Sequence, residues 1–257
     1  MYNQFAPDYD RFVNWPARLA YEMPFLERLL GGPQSSPRVL DAACGTGRHV
    51  LELARRGYHA AGADLEPAMV EQARALAAAQ GLEARFAAAG FGDLRATFGA
   101  QSFDAVLCLG NSLPHLLDPD ALHTALRDFA AVLRSGGLLV VQNRNFDRVM
   151  VLRQRWMEPQ SARDGEREWL FVRFYDFDPD GRITFHVIRM AREGQAAWVQ
   201  SPMSTRLWPL RRADLVPALQ ADGFTAVEPF GGLDGSPFDA GTSDNLVIAA
   251  RQAESGG

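Results

Sequence analysis

The chain reads as an α/β protein: a mostly parallel seven-stranded sheet with helices on both faces, and a small antiparallel β-sheet inserted after the fifth strand. Three observations carry that reading. A glycine-rich turn, Asp41-Ala42-Ala43-Cys44-Gly45-Thr46-Gly47-Arg48-His49, joins a short apolar run to a helical stretch. Apolar runs of strand length then alternate with helix-length segments as far as Val141, the rhythm of parallel strands linked by crossover helices. Past Arg148 two long alternating runs are joined by Asp178-Pro179-Asp180-Gly181, which has the turn chemistry of a hairpin.

Taken in order, Asn14 is placed to cap a helix reaching Leu30. Pro16 suits its first turn, Leu19, Met23, Leu26 and Leu30 recur on one face, and Gly31-Gly32-Pro33 ends it. Strand 38–43, helix 48–56 closed by Gly57, strand 60–64, helix 68–79 closed by Gly81, strand 84–88 and strand 103–109 follow. A helix over 119–133 ends at Gly136-Gly137 before the apolar run 138–141. The inserted sheet comprises runs 169–177, 182–190 and 196–200, and sits after a strand end, where it covers the crevice in which open α/β sheets bind ligands. Helix 213–222 and strands 224–230 and 245–250 complete the main sheet. The expected division is therefore 1–147 with 207–251 as the ligand-binding domain, 148–206 as a covering insert, and 252–257 as a disordered tail.

Composition narrows the function classes. With 257 residues, 47% hydrophobic and 22% charged, the chain suits one large domain carrying an insertion. No apolar run approaches the roughly 18 residues of a spanning helix, and the start Met1-Tyr2-Asn3-Gln4 is polar, so a cytoplasmic protein without membrane contact is expected. The net charge is −5, with arginines dispersed among acids, which argues against nucleic acid as the principal partner. Cys44 and Cys108 lack C-x-x-C spacing and read as small buried hydrophobes rather than a disulfide or metal pair. There is no H-E-x-x-H and no acidic cluster suited to a divalent cation, so metal-independent chemistry is expected.

The turn itself points to a ligand. Gly45 and Gly47 allow a tight turn and a close approach to the main chain. The N–H groups of the following helix face whatever binds there. Asp64 ends the next strand, twenty-three positions after Asp41, near the offset at which an acid reaches a ribose hydroxyl. A dinucleotide fingerprint needs a third glycine where this chain has Val50, so NAD is demoted.

The string D-x-A-C-G-T-G with its acidic strand end resembles the cofactor motif of class I S-adenosylmethionine-dependent methyltransferases, whose fold is Rossmann-like. Two further segments narrow the likeness: Phe103-Asp104-Ala105-Val106-Leu107-Cys108-Leu109-Gly110-Asn111-Ser112-Leu113-Pro114-His115-Leu116, and Arg134-Ser135-Gly136-Gly137-Leu138-Leu139-Val140-Val141-Gln142-Asn143-Arg144-Asn145-Phe146-Asp147. Both are similar to glycine N-methyltransferase and its glycine/sarcosine relatives. The likeness is close over 38–64 and 103–147, looser over 206–224, and weak across the insert.

That resemblance implies S-adenosylmethionine as cofactor and a small-molecule methyl acceptor. Ala43 would line the cofactor pocket, Asp64 would take the ribose hydroxyls, and Leu109 would pack near the adenosine; Asp41, Gly45, Gly47 and Leu65 would belong to the same cofactor site. Phe91 would stack on adenine and Asp93 would accept from it. His115 and Arg18 would hold the methionine carboxylate, with Tyr2 or Tyr9 closing over it. Asn111 and Arg144 would belong to the substrate. Arg144 is the sharpest of these, since a guanidinium grips a small carboxylate bidentately and holds an amine at a fixed distance from the methyl group.

Each assignment has a plainer rival: Asn111 as a turn residue after the fourth strand, His115 as a hydrogen-bonded loop histidine, and Arg144 as a surface arginine paired with Asp147. The family lines its amine pocket with tyrosine hydroxyls, whereas Phe12 and Val187 occupy two such positions here. Losing hydroxyls removes polar partners that a small zwitterion needs. A bulkier acceptor, methylated on oxygen or nitrogen, therefore stands beside a glycine-like one, as does a cofactor-binding regulatory protein without turnover. The aromatics Trp169, Phe171, Phe174, Tyr175, Phe177 and Phe185 either line the acceptor pocket or form the insert's own core.

Overall fold

The structure is a computed structural model that describes residues 10–11 and 13–254. Helix α1 (Trp15–Leu30) starts where the Asn14 side chain accepts the Ala17 N–H and stops at Gly31, which takes the left-handed conformation at φ 81°. Then come β1 (Arg38–Asp41), α2 (Arg48–Arg55), β2 (His59–Asp64), α3 (Pro67–Gln80), β3 (Arg85–Ala88), α4 (Leu94–Phe98), β4 (Phe103–Cys108), α5 (Pro119–Val132) and β5 (Leu133–Arg144). The chain next forms α6 (Phe146–Leu152) and four strands, β6 (Gln160–Asp164), β7 (Arg167–Phe177), β8 (Ile183–Glu193) and β9 (Val199–Leu207). It returns through α7 (Arg212–Ala221), β10 (Phe224–Phe230) and β11 (Asn245–Gln252).

The main sheet has the order β10-β11-β5-β4-β1-β2-β3, and the insert forms a separate sheet in the order β6-β7-β8-β9. Strands β1 to β5 pair in parallel, while β11 runs antiparallel to both β5 and β10. Strand order reverses between β1 and β4, which leaves a crevice beyond their C-terminal ends. Alternate side chains feed two apolar layers. Leu40, Val106, Leu139 and Ile248 pack with Leu122, Leu126 and Phe129 of α5 and Leu215 of α7. Val39, Leu107, Val140 and Val247 pack with Met23 and Leu26 of α1, Val50 and Leu53 of α2, and Val70 of α3. Each fully buried large side chain contributes about 1.5–3 kcal/mol, so both faces of the sheet are pinned and the loops at its end inherit a rigid frame.

Departures from the sequence expectation have local causes. The pair Gly136-Gly137 lies inside β5 rather than in a loop that ends the preceding helix. Strand pairing resumes there, with Phe103 opposite Leu133 and the register shifting before Ala105. Helices α4 and α6 and strand β6 were not expected. Helix α4 is a five-residue turn whose N-terminal N–H groups are satisfied by a distant carboxylate, Asp128 of α5, which accepts from Gly92, Leu94 and Arg95. Helix α6 is held by the insert, with Phe146 and Val149 against Tyr175, Ile183 and Leu207. Strand β11 continues through Gln252, past the expected start of a disordered tail. Both cysteines are buried and unbridged.

The aromatic run of the insert divides between the two expected roles. Trp169 and Phe171 are buried core. Tyr175 and Phe185 line the crevice cavity. Phe174 stacks on His186 with centroids 4.6 Å apart, and Phe177 packs beside the α6 cluster.

Candidate active site

The glycine-rich turn folds back onto β2. Gly45 N–H donates to Asp64 Oδ2 at 2.8 Å, Cys44 N–H to the Ala63 carbonyl at 2.8 Å, and Gly47 N–H to the Cys44 carbonyl at 2.9 Å. These turn donors are committed within the protein. Gly47 caps α2 at φ 78°, and a Cβ there would lie 2.8 Å from Phe86 and 2.9 Å from Ala73 Cβ. Asp64 Oδ1 accepts the Glu66 N–H at 3.0 Å. A carboxylate has about four lone-pair sites; two serve the backbone, and the others remain for the adjoining cavity.

That cavity, about 460 Å³, runs from Ala43, Gly45 and Asp64 past Leu65, Gly90, Phe91 and Asp93 to Asn111, Ser112 and His115, and Thr205 of the insert closes one wall. Leu65 is exposed at its rim. Phe91 is braced edge-on by Phe129, centroids 5.3 Å apart. The loop 90–93 holds its shape through Asp128, which sequence reasoning missed. The available signal was an acid three positions after Ala125 on the buried face of α5.

The end of β4 makes the junction. Gly110 and Asn111 both take positive φ, 75° and 68°, a sharp corner that Gly and Asn adopt most readily. Gln142 holds this corner, its Oε1 accepting the Gly110 N–H at 2.7 Å and its carbonyl the Asn111 N–H at 3.1 Å. Asn245 in turn accepts from Gln142 Nε2 at 2.9 Å. Asn111 Oδ1 accepts the Arg144 N–H at 2.9 Å, so the turn role weighed for Asn111 is real, and its amide nitrogen remains to face the cavities. Neither Gln142 nor Asn245 was singled out from the sequence, because a buried amide that serves a backbone corner has no local pattern.

A second cavity, about 800 Å³, opens on the other side of this corner and shares Gly110, Asn111 and His115 with the first. Arg18, Arg144, Arg173, Tyr175, Phe185 and Val187 are among its walls. Arg144 ends β5 and Arg173 faces it from β7. Burial and the neighbouring Arg144 charge lower the Arg173 pKa, while burial pushes the Tyr175 hydroxyl up to about 12. Tyr175 is therefore a protonated donor at neutral pH. Burial lowers the His115 pKa, so its imidazole is neutral there.

Arg18 is oriented from α1, its Nε donating to Glu22 at 2.9 Å, while Glu22 also meets His49 Nε2 at 2.6 Å. Asp10 ties the chain's start to the turn, accepting from Trp15 Nε1, Thr46 Oγ1 and the Arg48 guanidinium. Asp147, considered as a partner for Arg144, accepts the Arg212 N–H instead.

Of the residues expected at the cofactor, Ala43, Gly45, Asp64, Leu65, Phe91, Asp93 and His115 share the first cavity, and Arg18 faces the second together with His115. Asn111 borders both, and Arg144 lines the second. Asp41, Gly47 and Leu109 line neither: Asp41 and Leu109 are buried beneath the corner, and Gly47 acts through the backbone turn. Tyr2, Tyr9 and Phe12 lie outside the described residues.

Asp41 carries a measurable consequence. Its Oδ1 accepts the Ala43 N–H at 3.3 Å, and full burial pushes its carboxyl from 3.8 up to about 6, against the opposing pull of His49. Between those values the folded state binds a proton that the unfolded chain releases. Stability from this group is thus present below about 4 and is lost as pH rises through about 6. The loss is about 3 kcal/mol at roughly 1.36 kcal/mol per pKa unit. Asp41→Asn retains the acceptor and is expected to raise the melting temperature at pH 7.5 but not at pH 4. A variant less stable than the parent at both pH values would show that the charge is compensated in the fold.

Comparison with known proteins follows these lines. Residues 39–137 match a family described as a methyltransferase domain. The glycine/sarcosine N-methyltransferase of Parasynechococcus marenigrum is 36% identical over 146 residues, 57% of this chain and 51% of that protein. Mouse (Mus musculus) glycine N-methyltransferase is 34% identical over 123 residues, 44% of this chain and 42% of that protein. The chain thus spans about half the length of these relatives. A methyltransferase from Clostridium acetobutylicum described as S-adenosylmethionine-dependent superposes with a TM-score of 0.77 at 18% identity, covering 98% of this chain and 99% of that one. An amino pentose methyltransferase from Micromonospora echinaspora, solved with S-adenosylmethionine bound, superposes at 0.71 with 21% identity, covering 98% and 97%. No helix among the described residues is long and apolar enough to cross a membrane. The glycine-rich turn, the acid at the end of β2, the strand order and the family match converge: residues 39–137 match a methyltransferase domain, in a chain that shares the fold of S-adenosylmethionine-dependent methyltransferases and resembles the glycine and glycine/sarcosine N-methyltransferases.

Proposed function

We propose that the protein methylates the nitrogen of a small amino acid or a similar carboxylate-bearing amine, using S-adenosylmethionine. The observation that carries this reading is the shared corner: two cavities meet at Gly110, Asn111 and His115, and the far one is faced by the Arg144 guanidinium. S-adenosylmethionine supplies a methyl group already activated on a sulfonium. The first cavity fits that cofactor, with two lone-pair sites of Asp64 for ribose hydroxyls, Phe91 and Asp93 for adenine, a glycine at 90 where a Cβ would crowd Leu65, and His115 for a carboxylate, while Arg18 would reach that carboxylate from the second cavity, which shares His115.

The protein's own work is then positional. Arg144 grips the acceptor carboxylate, Asn111 orients the amine at the corner, and Tyr175 donates its hydroxyl proton to an acceptor oxygen without losing it at neutral pH. The inserted sheet walls the site against water. Alignment of this kind supplies about 7–11 kcal/mol of a reaction barrier. A second reading, a bulkier acceptor, is favoured by the size of the cavity and by Trp156, Met157, Phe185 and Val187 along one side. The full-length likeness to an amino pentose methyltransferase points the same way.

The test is release of S-adenosylhomocysteine with a panel from glycine, sarcosine and dimethylglycine to amino sugars, phenols and aromatic amines. Turnover of carboxylate-bearing amines is expected. Arg144→Ala should raise KM for them at least tenfold, the worth of a charged hydrogen bond at about 1.5–3 kcal/mol, with cofactor affinity nearly intact. Unchanged kinetics would remove Arg144 from the substrate. Turnover of bulky acceptors alone would install the second reading, and no turnover at all would leave a cofactor-binding protein.

A further inference from the structure

Resting on the reading of the second cavity as the site of a carboxylate-bearing amine, we propose that the acceptor is an α-amino acid with a large apolar side chain, its carboxylate on Arg144 and its side chain against Met157, Phe185 and Val187 of the insert. The cavity is built from two layers of different chemistry. The main sheet supplies polar groups: Asn111 just past β4, Gln142 and Arg144 at the end of β5, and Asn245 at the start of β11. The insert supplies an apolar wall, and its strand register explains why. Tyr175 pairs with Phe185, and Arg173 with Val187. Directly paired residues of antiparallel neighbours project to one face, so these four share a face of the inserted sheet, and all four line the cavity. Met157 joins them, its N–H donating to the Arg173 carbonyl at 3.1 Å and its side chain packing in the cluster around Tyr175. Arg173, the charged member of this group, is already engaged within the protein.

The polar side selects a carboxylate at one point. Gln142 is committed to the Gly110 corner and to Asn245. The acids Glu22 and Asp244 on the walls are engaged by Arg18 with His49 and by Arg148. The buried Arg144 Nε has no hydrogen-bond partner among the described residues, and a buried donor left in that state is costly until an acceptor enters. Volume decides the rest. About 800 Å³ lies within the roughly 300–1,000 Å³ of pockets that hold drug-sized ligands. Glycine, whose side chain is a hydrogen atom, would leave the Met157, Phe185 and Val187 surfaces wet, whereas a large apolar side chain removes them from water. One methylene in an apolar pocket already changes kcat/KM by about 10–200-fold. With the carboxylate on Arg144 and the side chain on the insert, the α-amino group is left for the Asn111 corner, where this cavity meets the first. The neutral amine attacks the methyl carbon there, its lone pair forming the N–C bond as the C–S bond breaks and its electrons return to sulfur. The resulting ammonium gives its proton to water, and S-adenosylhomocysteine departs.

The experiment uses the full chain with S-adenosylmethionine. Release of S-adenosylhomocysteine is measured with leucine, methionine and phenylalanine, with glycine and sarcosine, and with asparagine as a polar counterpart of leucine. Isoamylamine and phenethylamine complete the panel, since they keep the apolar group and lack the carboxylate. Binding of leucine and of glycine to the S-adenosylhomocysteine-loaded protein is followed by calorimetry. The expected result is a kcat/KM for at least one of the three apolar amino acids tenfold or more above glycine, asparagine and both carboxylate-free amines. Phe185→Ala should lower the ratio of that kcat/KM to the glycine value at least tenfold, Phe185→Leu should retain most of it, and Met157→Ala should act in the same direction as Phe185→Ala. Cofactor affinity within threefold of the parent reports that the variants fold. No preference over glycine or asparagine, or a ratio that neither Phe185→Ala nor Met157→Ala moves, overturns this inference and leaves the N-methyltransferase reading standing. Carboxylate-free amines turned over as well as their amino acids, or no turnover and no amine binding across the panel, overturns both.

Discussion

Asp64→Ala is expected to lower S-adenosylmethionine affinity at least 100-fold and to reduce stability by about 2–4 kcal/mol. The carboxylate serves two masters. Its Oδ2 and Oδ1 accept the N–H groups of Gly45 and Glu66, which fixes the glycine-rich turn against the end of β2, and its remaining lone pairs face the cavity. A hydrogen bond to a charged group is worth about 1.5–3 kcal/mol, and a buried donor left without a partner adds its own desolvation cost. Asp64→Asn separates the two roles. The amide offers one acceptor and turns an NH₂ toward the other backbone donor, so it should lose nearly as much stability as alanine. Asp93→Ala, at the other end of the cavity, should cost affinity without that stability loss. Burial raises the Asp64 pKa, so in the parent protein cofactor affinity should fall as pH drops through that raised value and the carboxylate takes up a proton. Calorimetric titration with thermal melts checks all of this; a stable Asp64→Ala protein that binds the cofactor normally would remove Asp64 from the site.

Gly47→Ala is expected to have the second large effect, for a reason that involves no ligand contact. At φ 78° an alanine pays the left-handed penalty of about 1–2 kcal/mol. Its Cβ would also arrive 2.8 Å from the Phe86 ring and 2.9 Å from Ala73 Cβ, between β3 and α3. Overpacking of that kind costs about 1–3 kcal/mol more. The sum, about 2–5 kcal/mol, should appear as a large drop in melting temperature together with weakened cofactor binding, since the turn leading into α2 must shift. Gly47→Ala combined with Phe86→Leu should recover part of the steric cost and none of the backbone cost. Gly110→Ala offers a contrast: its φ is 75°, but a Cβ there meets nothing within 4 Å, so only the backbone penalty should be seen.

How much of the site was legible follows from the range over which each residue acts. The turn from Asp41 to His49, the acid at 64 and the corner at Asn111 are local strings attached to strand ends, and parallel strands deliver their C-terminal ends to one crevice. Parallel strand ends bring Gly45, Asp64, Asn111 and His115 to one cavity and Arg144 to the cavity beside it. The burial of Asp128 on α5 left a signal in the sequence, but the partners of Asp128 and Gln142 were not legible, because each satisfies backbone donors more than thirty residues away. Helix α4 was missed for the same reason: the N–H groups at its start are satisfied by Asp128 of α5.

The sequence by itself determined the architecture, seven strands alternating with helices and an antiparallel insertion, because periodicity of 2 and of 3.6 residues and glycine punctuation are local properties of the chain. One contiguous turn also pointed to a class of cofactor. Only the tertiary structure decided what lines the second cavity. Arg173 sits in an alternating run in which neighbouring side chains point to opposite faces. Whether it meets solvent or Arg144 depends on how the inserted sheet docks over β5, and that is settled by packing of Phe146 and Val149 against Tyr175, Ile183 and Leu207, contacts between segments that no local pattern links.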